Sequence, residues 1–437
     1  MVAIVGVLIP ARASLASVPE ETALMVSDGA ADDLFGLAVA IDGDTTLVGG
    51  VGADGNSVDC GAAYVFRYDG TAWIEGPKLI ASDGAVGDYF GISVAVDGDT
   101  ALVGAGRHDG IGTDSGAAYV FRYDGTAWVE EAKLTSSDSA GDDYFGYWVA
   151  IDGDTALVGA VGSNGNVIDS GAAYVFRYDG LGWAQEAKLT AFDGTDGDFF
   201  GRSVALNGDT AVIGAGRDDD KGTNSGAAYV FRNNGTTWVP TTKLTASDGA
   251  DFDAFGMSVA IEADTVVIGA FGDDDMGGGS GSAYVFRYDG TTWVEEKKLL
   301  AFDGTEFDNF GMSVAIAGDT VAVGAIGDDD NALDSGSAYV FHYSGTHWVA
   351  GEKLAASDAA TDDALGVSVA ITNATLGDMA VVGAWQDDSN GINAGAALVF
   401  MAPAVPALPS ISIALLALGL LCTGVLVLRR GFASQAS

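Results

Sequence analysis

Short apolar runs recur along the whole chain, and turns rich in Asp and Gly separate them. The β-branched, aromatic and small residues of these runs favour strands over helices. Asp97-Gly98 and Asp124-Gly125 are typical of the turns, and Asp-Gly supplies the positive φ angles that two-residue hairpins need. We therefore predict a unit of four antiparallel strands, named a, b, c and d. Examples of the four, in order, are residues 258–261, Thr100–Ala105, Ala117–Tyr123 and Trp128–Leu134.

The unit repeats with a period of 55 residues, and a Phe-Gly pair marks each copy. Leu365-Gly366 stands in the seventh place. A fixed period with four short strands per copy is typical of β-propellers, so we predict seven blades. We expect the phenylalanines to pack between blades. They are Phe35, Phe90, Phe145, Phe200, Phe255 and Phe310.

The seventh copy ends after strand c, and no strand that begins with Trp follows it. An unpaired strand of the d type lies instead near the N-terminus, at residues 18–26. Pairing these two parts of the chain would remove a free sheet edge. The predicted fold is therefore all-β, a seven-bladed β-propeller of four-stranded blades at residues 17–400. The N-terminal strand closes its last blade.

The first residues differ in composition from the repeats. Residues 2–9 form an apolar run, and the small residues after it suit cleavage by signal peptidase. A basic region before the run is missing. We predict a signal peptide at residues 1–16, either complete or truncated at its start. An ordinary apolar N-terminal segment is the alternative.

The composition changes again after Phe400. Residues 401–409 form a linker rich in Pro and Ala, and residues 410–428 carry no charge. As a transmembrane helix, residues 410–428 would be about 28 Å long, enough to cross a hydrocarbon core of ~30 Å. The pair Arg429-Arg430 predicts a cytoplasmic tail at residues 429–437, which places the propeller outside.

The Val-Pro-x-x-Pro motif of residues 405–409, followed by one apolar helix and an Arg pair, resembles the PEP-CTERM-like sorting tails of bacteria. The resemblance implies that a membrane protease processes the tail. A permanent C-terminal membrane anchor is the alternative, and the sequence leaves both open. In either case we expect an exported protein, held at the cell surface or released after processing.

The chain is strongly acidic, with 61 acidic and 19 basic residues and a formal net charge of −42. We exclude nucleic acid as a partner, because phosphate binding needs a basic face. Cys60 lies in a predicted loop and Cys422 in the apolar tail, so no disulfide framework is expected. The three histidines do not cluster, which argues against a zinc site.

The b–c and d–a loops should lie on one face of the propeller, and they carry most of the Asp residues. Two loop positions are Asp in every copy, and such a ring of carboxylates would give this face a negative potential. Each Asp could equally cap backbone N–H groups of its turn without any ligand. The first position comprises Asp28, Asp83, Asp138, Asp193, Asp248, Asp303 and Asp358, and the second comprises Asp33, Asp88, Asp143, Asp198, Asp253, Asp308 and Asp363.

Three b–c loops contain runs of Asp that are candidate cation sites. Calcium takes six to eight oxygen ligands, and these flexible loops supply several, although their spacing differs from that of an EF-hand. Solvated acidic loops are the alternative. Calcium is the one cofactor that the sequence suggests. The candidate ligands are Asp218, Asp219, Asp220, Asp273, Asp274, Asp275, Asp328, Asp329 and Asp330.

The repeat resembles the FG-GAP repeat family. The Phe-Gly pairs match its FG element, and pairs such as Gly104-Ala105 at the end of strand b match the GA of GAP. The resemblance covers about residues 18–400 and implies a propeller like that of integrin α subunits, with a role in extracellular recognition. In the integrin-type repeat, calcium binds between the strand after FG and the strand before GAP. A tight turn, Asp97-Gly98-Asp99, stands there in this chain, so those calcium ligands have no counterparts.

No catalytic constellation is visible in the sequence. No nucleophile has a nearby His, no P-loop occurs, and near-identical repeats lack the asymmetry that catalysis usually needs. We predict a non-enzymatic exported or cell-surface protein that recognises an extracellular protein or glycan, or mediates adhesion, through its Asp-rich loops. Two alternatives remain, a propeller hydrolase acting on extracellular polysaccharide and a structural component of a surface coat.

Overall fold

The computed structural model of the protein describes residues 20–374 and 377–401. The predicted signal peptide, the apolar segment at 410–428, the basic tail and nearly all of the linker lie outside these residues. In the described part of the chain, no helix is long and apolar enough to cross a membrane.

The described residues form strands β1 to β28, arranged as seven four-stranded sheets. The first strand is β1 (Glu20–Leu24). Blade 1 contains β2 (Phe35–Asp42), β3 (Thr45–Gly50), β4 (Ala62–Tyr68) and β5 (Trp73–Leu79). Blade 2 contains β6 (Phe90–Asp97), β7 (Thr100–Ala105), β8 (Ala117–Tyr123) and β9 (Trp128–Leu134). Blade 3 contains β10 (Trp148–Asp152), β11 (Thr155–Ala160), β12 (Ala172–Tyr178) and β13 (Trp183–Leu189).

The remaining blades repeat this arrangement. Blade 4 contains β14 (Phe200–Asn207), β15 (Thr210–Ala215), β16 (Ala227–Asn233) and β17 (Trp238–Leu244). Blade 5 contains β18 (Ser258–Glu262), β19 (Thr265–Ala270), β20 (Ser282–Tyr288) and β21 (Trp293–Leu299). Blade 6 contains β22 (Phe310–Ala317), β23 (Thr320–Ala325), β24 (Ser337–Tyr343) and β25 (Trp348–Leu354). Blade 7 contains β26 (Leu365–Ala374), β27 (Gly377–Ala384) and β28 (Ala396–Met401).

The N-terminal strand completes blade 7. The strand order of this sheet is β1-β28-β27-β26, and every pair in it is antiparallel. Glu20 pairs with Met401, and Leu24 pairs with Ala397. The sequence prediction of an all-β, seven-bladed propeller closed by its N-terminal strand is confirmed.

The a strands form the inner ring of the propeller, because each contacts the a strand of the next blade and β26 contacts β2. The b strands of blades 1 to 6 are buried along their whole length, as in Thr100–Ala105. The apolar clusters span neighbouring blades, so that Leu47 and Val65 of blade 1 pack in one cluster with Val103 and Tyr119 of blade 2. The core is therefore a series of interfaces between blades, and a single blade has no core of its own.

The Phe-Gly pair lies at these interfaces. Phe90 is fully buried, and its ring packs edge-on against Tyr119 and Phe121, at centroid distances of 5.5 and 6.1 Å. Its backbone forms a parallel bridge with Gly61 of the preceding blade. Equivalent bridges join all seven blades, including Phe35 of blade 1 with Gly395 of blade 7.

Glycine is required where two neighbouring backbones touch. A Cβ on Gly104, at the end of strand b in blade 2, would overlap the carbonyl oxygen of Gly146 in blade 3. The Gly of GA in each blade thus packs against the Gly of FG in the next. The pairs are Gly49 with Gly91, Gly104 with Gly146, Gly159 with Gly201, Gly214 with Gly256, Gly269 with Gly311, Gly324 with Gly366 and Gly383 with Gly36.

The outer strands are also tied between blades. Glu130 on β9 accepts hydrogen bonds from the backbone N–H and the hydroxyl of Ser82, which follows β5. Glu21 on β1 accepts the same bonds from Ser357, which follows β25. The closing strand is therefore held to blade 6 by a bond that recurs elsewhere in the ring.

The two faces of the propeller differ. Tight a–b and c–d turns lie on one face, which we call the turn face, and the longer b–c and d–a loops lie on the other, the loop face. Neighbouring a–b turns are linked, since the backbone N–H of Gly98 donates to the carboxylate of Asp42 at 2.7 Å. The paired residues Glu20 and Met401 lie at the turn face, so the chain enters and leaves the propeller there.

Replacing Gly104 with Ala should destabilise the protein by about 1–3 kcal/mol, the usual cost of overpacking. The added methyl group has no space against the Gly146 carbonyl group. Gly182→Ala is the matched control, since a Cβ there meets nothing within 4 Å. Urea unfolding monitored by Trp fluorescence compares the variants. An unchanged midpoint for Gly104→Ala would contradict the importance of this contact.

Candidate functional site

The loop face carries the side chains that the sequence marked as candidates. Each d–a loop enters a blade and brings two Asp residues to the start of its inner strand. Each b–c loop crosses the same face further out. The candidate site is therefore a ring of seven similar loop pairs, and its chemistry depends on what each Asp contacts.

In blades 2 to 6, the first Asp of the d–a loop binds two side chains of the blade that the loop enters. In blade 5, Asp248 accepts a hydrogen bond from the Tyr284 hydroxyl at 2.8 Å and from the Lys298 ammonium at 2.9 Å. Tyr284 is on strand c and Lys298 on strand d. Both bonds also occur at Asp83, Asp138, Asp193 and Asp303.

These bonds control the charge of the first Asp. Partial burial alone would raise the pKa of Asp248, but the hydrogen bonds from Lys298 and Tyr284 lower it below its ordinary value. The pKa values of Asp83, Asp138, Asp193 and Asp303 are lowered for the same reason. These five carboxylates are therefore ionised, each beside a lysine ammonium group, and they form ties within blades 2 to 6.

The Asp runs of blades 4, 5 and 6 surround the same lysine. In blade 5, the Lys298 ammonium lies 2.7 Å from carboxylate oxygens of both Asp273 and Asp275, in addition to Asp248. Lys243 is held in this way by Asp193, Asp218 and Asp220, and Lys353 by Asp303, Asp328 and Asp330. Burial alone would lower the pKa of Lys298, but its three carboxylate partners raise it well above the ordinary value.

The middle Asp of each run has a different role. Asp219, Asp274 and Asp329 each accept a backbone N–H bond from the residue five positions later, at 2.7 to 2.8 Å. This bond closes the b–c loop. Of the three Asp residues in each run, the structure brings the first and third together around an ammonium group and places the second in the loop backbone.

The lysine occupies the position where a calcium ion would have to bind. Asp303, Asp328 and Asp330 offer oxygens within 4.8 Å of one another, a spacing that could hold a metal ion, and the Lys353 ammonium lies between them. An internal ammonium group therefore already occupies this position, and it offsets one of the three negative charges. Calcium binding by the Asp runs stays a prediction.

Other blades place different residues at the first position of the run. In blade 2 it is His108, a buried residue whose Nδ1 lies 2.9 Å from the Asp88 carboxylate, while its Nε2 lies 2.6 Å from the Lys133 ammonium. A neutral imidazole that donates to Asp88 and accepts from Lys133 satisfies all three groups. In blade 3 the position is Ser163, which contacts Lys188.

Blade 7 keeps the acids but lacks their partners. Ala23 of β1 stands where the other blades have lysine, and Leu398 stands where they have tyrosine. Asp358 has no side-chain hydrogen bond or ion pair among the described residues, and Asp387 and Asp363 are 7% and 4% exposed. Burial, followed by repulsion from Asp387 and Asp358, raises the pKa of Asp363 to about 6. In blade 7, the acidic side chains therefore lie near one another with no cationic side chain beside them among the described residues.

The second Asp of each d–a loop caps its own turn. Asp88 accepts a hydrogen bond from the backbone N–H of Ala85 at 2.8 Å, and it is 3% exposed. The same i, i+3 bond is formed at Asp33, Asp143, Asp198, Asp253, Asp308 and Asp363. The second Asp of each loop therefore caps the backbone of its own turn, as expected under the alternative in which the Asp residues bind no ligand.

Sequence reasoning missed the partners of the first Asp. The tyrosine of strand c and the lysine of strand d recur at fixed positions in blades 1 to 6, which is the signal that could have revealed them. Their meeting with a loop more than thirty residues earlier, as in Tyr119 with Asp83, follows from the four-stranded sheet. The spacing along the chain alone does not show it.

Replacing Ala23 with Lys should raise the free energy of unfolding by about 1 kcal/mol. This value is at the upper end of the range for exposed ion pairs, because Asp387, one of the two new partners, is buried. The new ammonium would stand between Asp358 and Asp387, as Lys298 does between its acids. Thr22→Lys adds the same charge to the opposite side of β1 and serves as the control. Thermal melting compares the two. Equal melting temperatures would contradict a shortage of cations in blade 7.

Replacing Lys353 with Ala should leave three carboxylates without their cation. We expect a loss of about 1–4 kcal/mol, between the values for exposed and buried ion pairs. Calcium should then raise the melting temperature of this variant more than that of the original protein, since ligand binding stabilises the folded state. Lys221→Ala, at an exposed lysine with no ion pair in the described chain, is the control. If calcium raises the melting temperature of Lys353→Ala no more than that of Lys221→Ala, the idea that the lysine ammonium takes the place of a metal ion is refuted.

A comparison with known protein families agrees with this geometry. The FG-GAP repeat matches residues 19–66, 73–121, 128–176, 183–231, 238–286, 293–341 and 348–400. Each match begins with a d strand and ends with the c strand of the next blade, so the first match contains β1 and the last ends in β28. Because each match runs from a d strand to the next c strand, the first d strand and the last a, b and c strands together form blade 7.

Two further comparisons were made. No curated protein matches the chain. Among solved structures, a chain from the crystal structure of the mitotic checkpoint complex is similar, with 12% sequence identity and a TM-score of 0.51. The match covers 88% of this chain and 92% of that chain, and at this identity it shows the fold alone. Seven repeat matches that together cover most of the sequence show that the chain belongs to the FG-GAP repeat family.

Proposed function

We propose that the protein is a non-enzymatic recognition or adhesion protein, exported to the cell surface, which binds an extracellular glycan or protein through its loop face. The FG-GAP propeller is consistent with a recognition protein. The predicted signal peptide and C-terminal helix support export. The ends of the described chain, Glu20 and Met401, lie at the turn face, opposite the loops.

The observation that carries the proposal is a pair of exposed phenylalanines on the loop face. Phe252 and Phe307 are 62% and 63% exposed and have φ angles of 70° and 71°. The same loop position is Asp or Gly in the other five blades, and these residues adopt a left-handed conformation more easily. Backbone strain of this kind costs about 1–3 kcal/mol and is concentrated at functional sites.

Neighbouring loops extend the apolar surface around these rings. Met276 lies in the b–c loop of blade 5, whose Gly278 carbonyl group accepts the Phe307 N–H bond at 2.9 Å. Met276 is 47% exposed, and Leu333 in the next b–c loop is 60% exposed. The position of Leu333 is Val, Thr, Ile or Gly in other blades, whereas the framework residues beneath recur. A constant framework that presents variable loops is typical of recognition surfaces.

The proposal is tested by binding to a panel of glycans and extracellular proteins. A protein with both Phe252→Asp and Phe307→Asp should lose at least about tenfold in affinity for its ligand, equivalent to about 1.4 kcal/mol. Its melting temperature should stay the same or rise, because Asp adopts the left-handed conformation more easily than Phe. Leu181→Asp changes a side chain that is 95% exposed on the turn face and is the matched control. Equal loss in the control would contradict recognition through the loop face.

The same samples separate the alternatives. Release of sugars from polysaccharide by the wild-type protein would favour the hydrolase. A mass that grows with concentration in light scattering, together with no ligand in the panel, would favour a structural coat protein.

A further inference from the structure

A cluster of arginines and aromatic rings lies at the loop-face end of the inner strands in blades 2, 3 and 4. The residue after each Phe-Gly pair is apolar in five blades, but it is Tyr147 in blade 3 and Arg202 in blade 4. Arg107 and Arg217 lie nearby, two residues beyond the b strands of blades 2 and 4. Tyr147 and Arg202 lie at the loop-face end of the a strands, which form the inner ring.

Ring contacts connect the members of this cluster. The guanidinium carbon of Arg202 lies 3.8 Å from the centroid of Trp148, whose ring packs 4.5 Å from that of Tyr147. Tyr147 also packs against Tyr144, at 6.2 Å. Arg107 covers the Tyr89 ring at 4.6 Å, and Arg217 covers the Phe199 ring at 4.2 Å. The cluster therefore comprises three neighbouring sets of stacked guanidinium groups and aromatic rings, drawn from three consecutive blades.

These arginines lack acidic partners in a strongly acidic protein. Within residues 20–374 and 377–401, Arg107, Arg202 and Arg217 form no ion pair with any carboxylate. Four of the five arginines on the c strands are paired, as in Arg122 with Glu131 at 3.1 Å and Arg287 with Glu296 at 3.0 Å, and the fifth, Arg232, lies over the Tyr288 ring. With 61 acidic residues in the chain, three unpaired guanidinium groups in one place need an explanation.

Like charges in the cluster also repel one another. Burial and, to a smaller extent, the nearby charge of Arg217 together lower the pKa of Arg202 to about 10. Stacking on aromatic rings offsets only part of this cost, by about 0.5–2 kcal/mol for each contact. A bound anion would remove the repulsion and satisfy the donors of the guanidinium groups.

We propose that this cluster binds an acidic polysaccharide whose sugar units carry carboxylate groups. The inference rests on the proposed function, and it names the ligand class of the loop face. Guanidinium groups bind carboxylates through two parallel hydrogen bonds. Tyrosine and tryptophan rings between them offer apolar faces with polar tips, which suit sugar rings. A polymer with a carboxylate on each sugar ring presents both of the chemical groups that this cluster can bind.

The net charge of the protein does not prevent this binding. At physiological ionic strength the Debye length is about 8 Å, so distant carboxylates are largely screened from a ligand that touches the arginines. Asp114 and Asp142 are close enough to Tyr144 to raise its pKa, after burial, while Arg107 lowers it. The direct contacts between the arginines and the carboxylates of the ligand outweigh the repulsion from distant acids. Added salt screens these attractive contacts, so the affinity should fall as the salt concentration rises.

The test is calorimetric titration of the full-length protein with polygalacturonate at physiological ionic strength. Dextran serves as the neutral sugar probe and polyglutamate as the acidic peptide probe. Only polygalacturonate should bind. The double variant Arg107→Gln and Arg217→Gln, which changes two exposed side chains, should lose at least about tenfold in affinity. Arg122→Gln on the turn face is the matched control and should bind as well as the original protein.

Three results would overturn the inference. They are no binding of polygalacturonate, equal binding of polyglutamate, and an equal loss in the Arg122→Gln control. Melting curves of each variant show whether a loss of affinity reflects unfolding. A further outcome is that polygalacturonate shows no binding while another ligand of the panel binds, and binds only when Phe252 and Phe307 are present. In that case the acidic polysaccharide is refuted as the ligand, and the proposed function stands. If no ligand binds, both are refuted.

Discussion

The close approach of neighbouring backbones at paired glycines is the constraint on which the rest of this structure depends. The Gly of FG in one blade lies against the Gly of GA in the blade before it, and any Cβ there would overlap a carbonyl oxygen. This contact lets the Phe-Gly segment bridge to the preceding blade and bury its ring. Because the same contact is made by Gly383 and Gly36, the ring closes with no special interface.

A second level of organisation neutralises the acidic loops. In blades 2 to 6 the entering loop is tied to strands c and d of its blade by an Asp that binds Tyr and Lys, and in blade 1 Asp28 binds the lysine alone. In blades 4 to 6, two further carboxylates join the same ammonium group. The loop face is therefore less negative than its composition suggests, since much of its Asp content is engaged in fixed ion pairs and turn caps. The exception is blade 7, where Ala23 and Leu398 leave the acids without these partners.

The functional proposals rest on departures from the repeat. Phe252 and Phe307 occupy strained, exposed positions where other blades have Asp or Gly. Arg107, Arg202 and Arg217 break the acidic character of the chain at the inner end of the loops. Repeated residues explain how the propeller is built, because the same contact must be made seven times. Residues that differ between blades give the loop face its asymmetry, which a specific site needs.

The sequence by itself determined the fold. Its 55-residue period, its Asp-Gly turns and the missing last strand predict the number of blades and their closure, because hairpin geometry and edge pairing are local or periodic properties. The sequence also marked every loop Asp. Only the tertiary structure decided what those carboxylates do. Lys298 and Asp248 are 50 residues apart along the chain, and the sheet and its entering loop bring them to 2.9 Å. The Arg and aromatic cluster likewise exists only because the fold places three consecutive blades side by side.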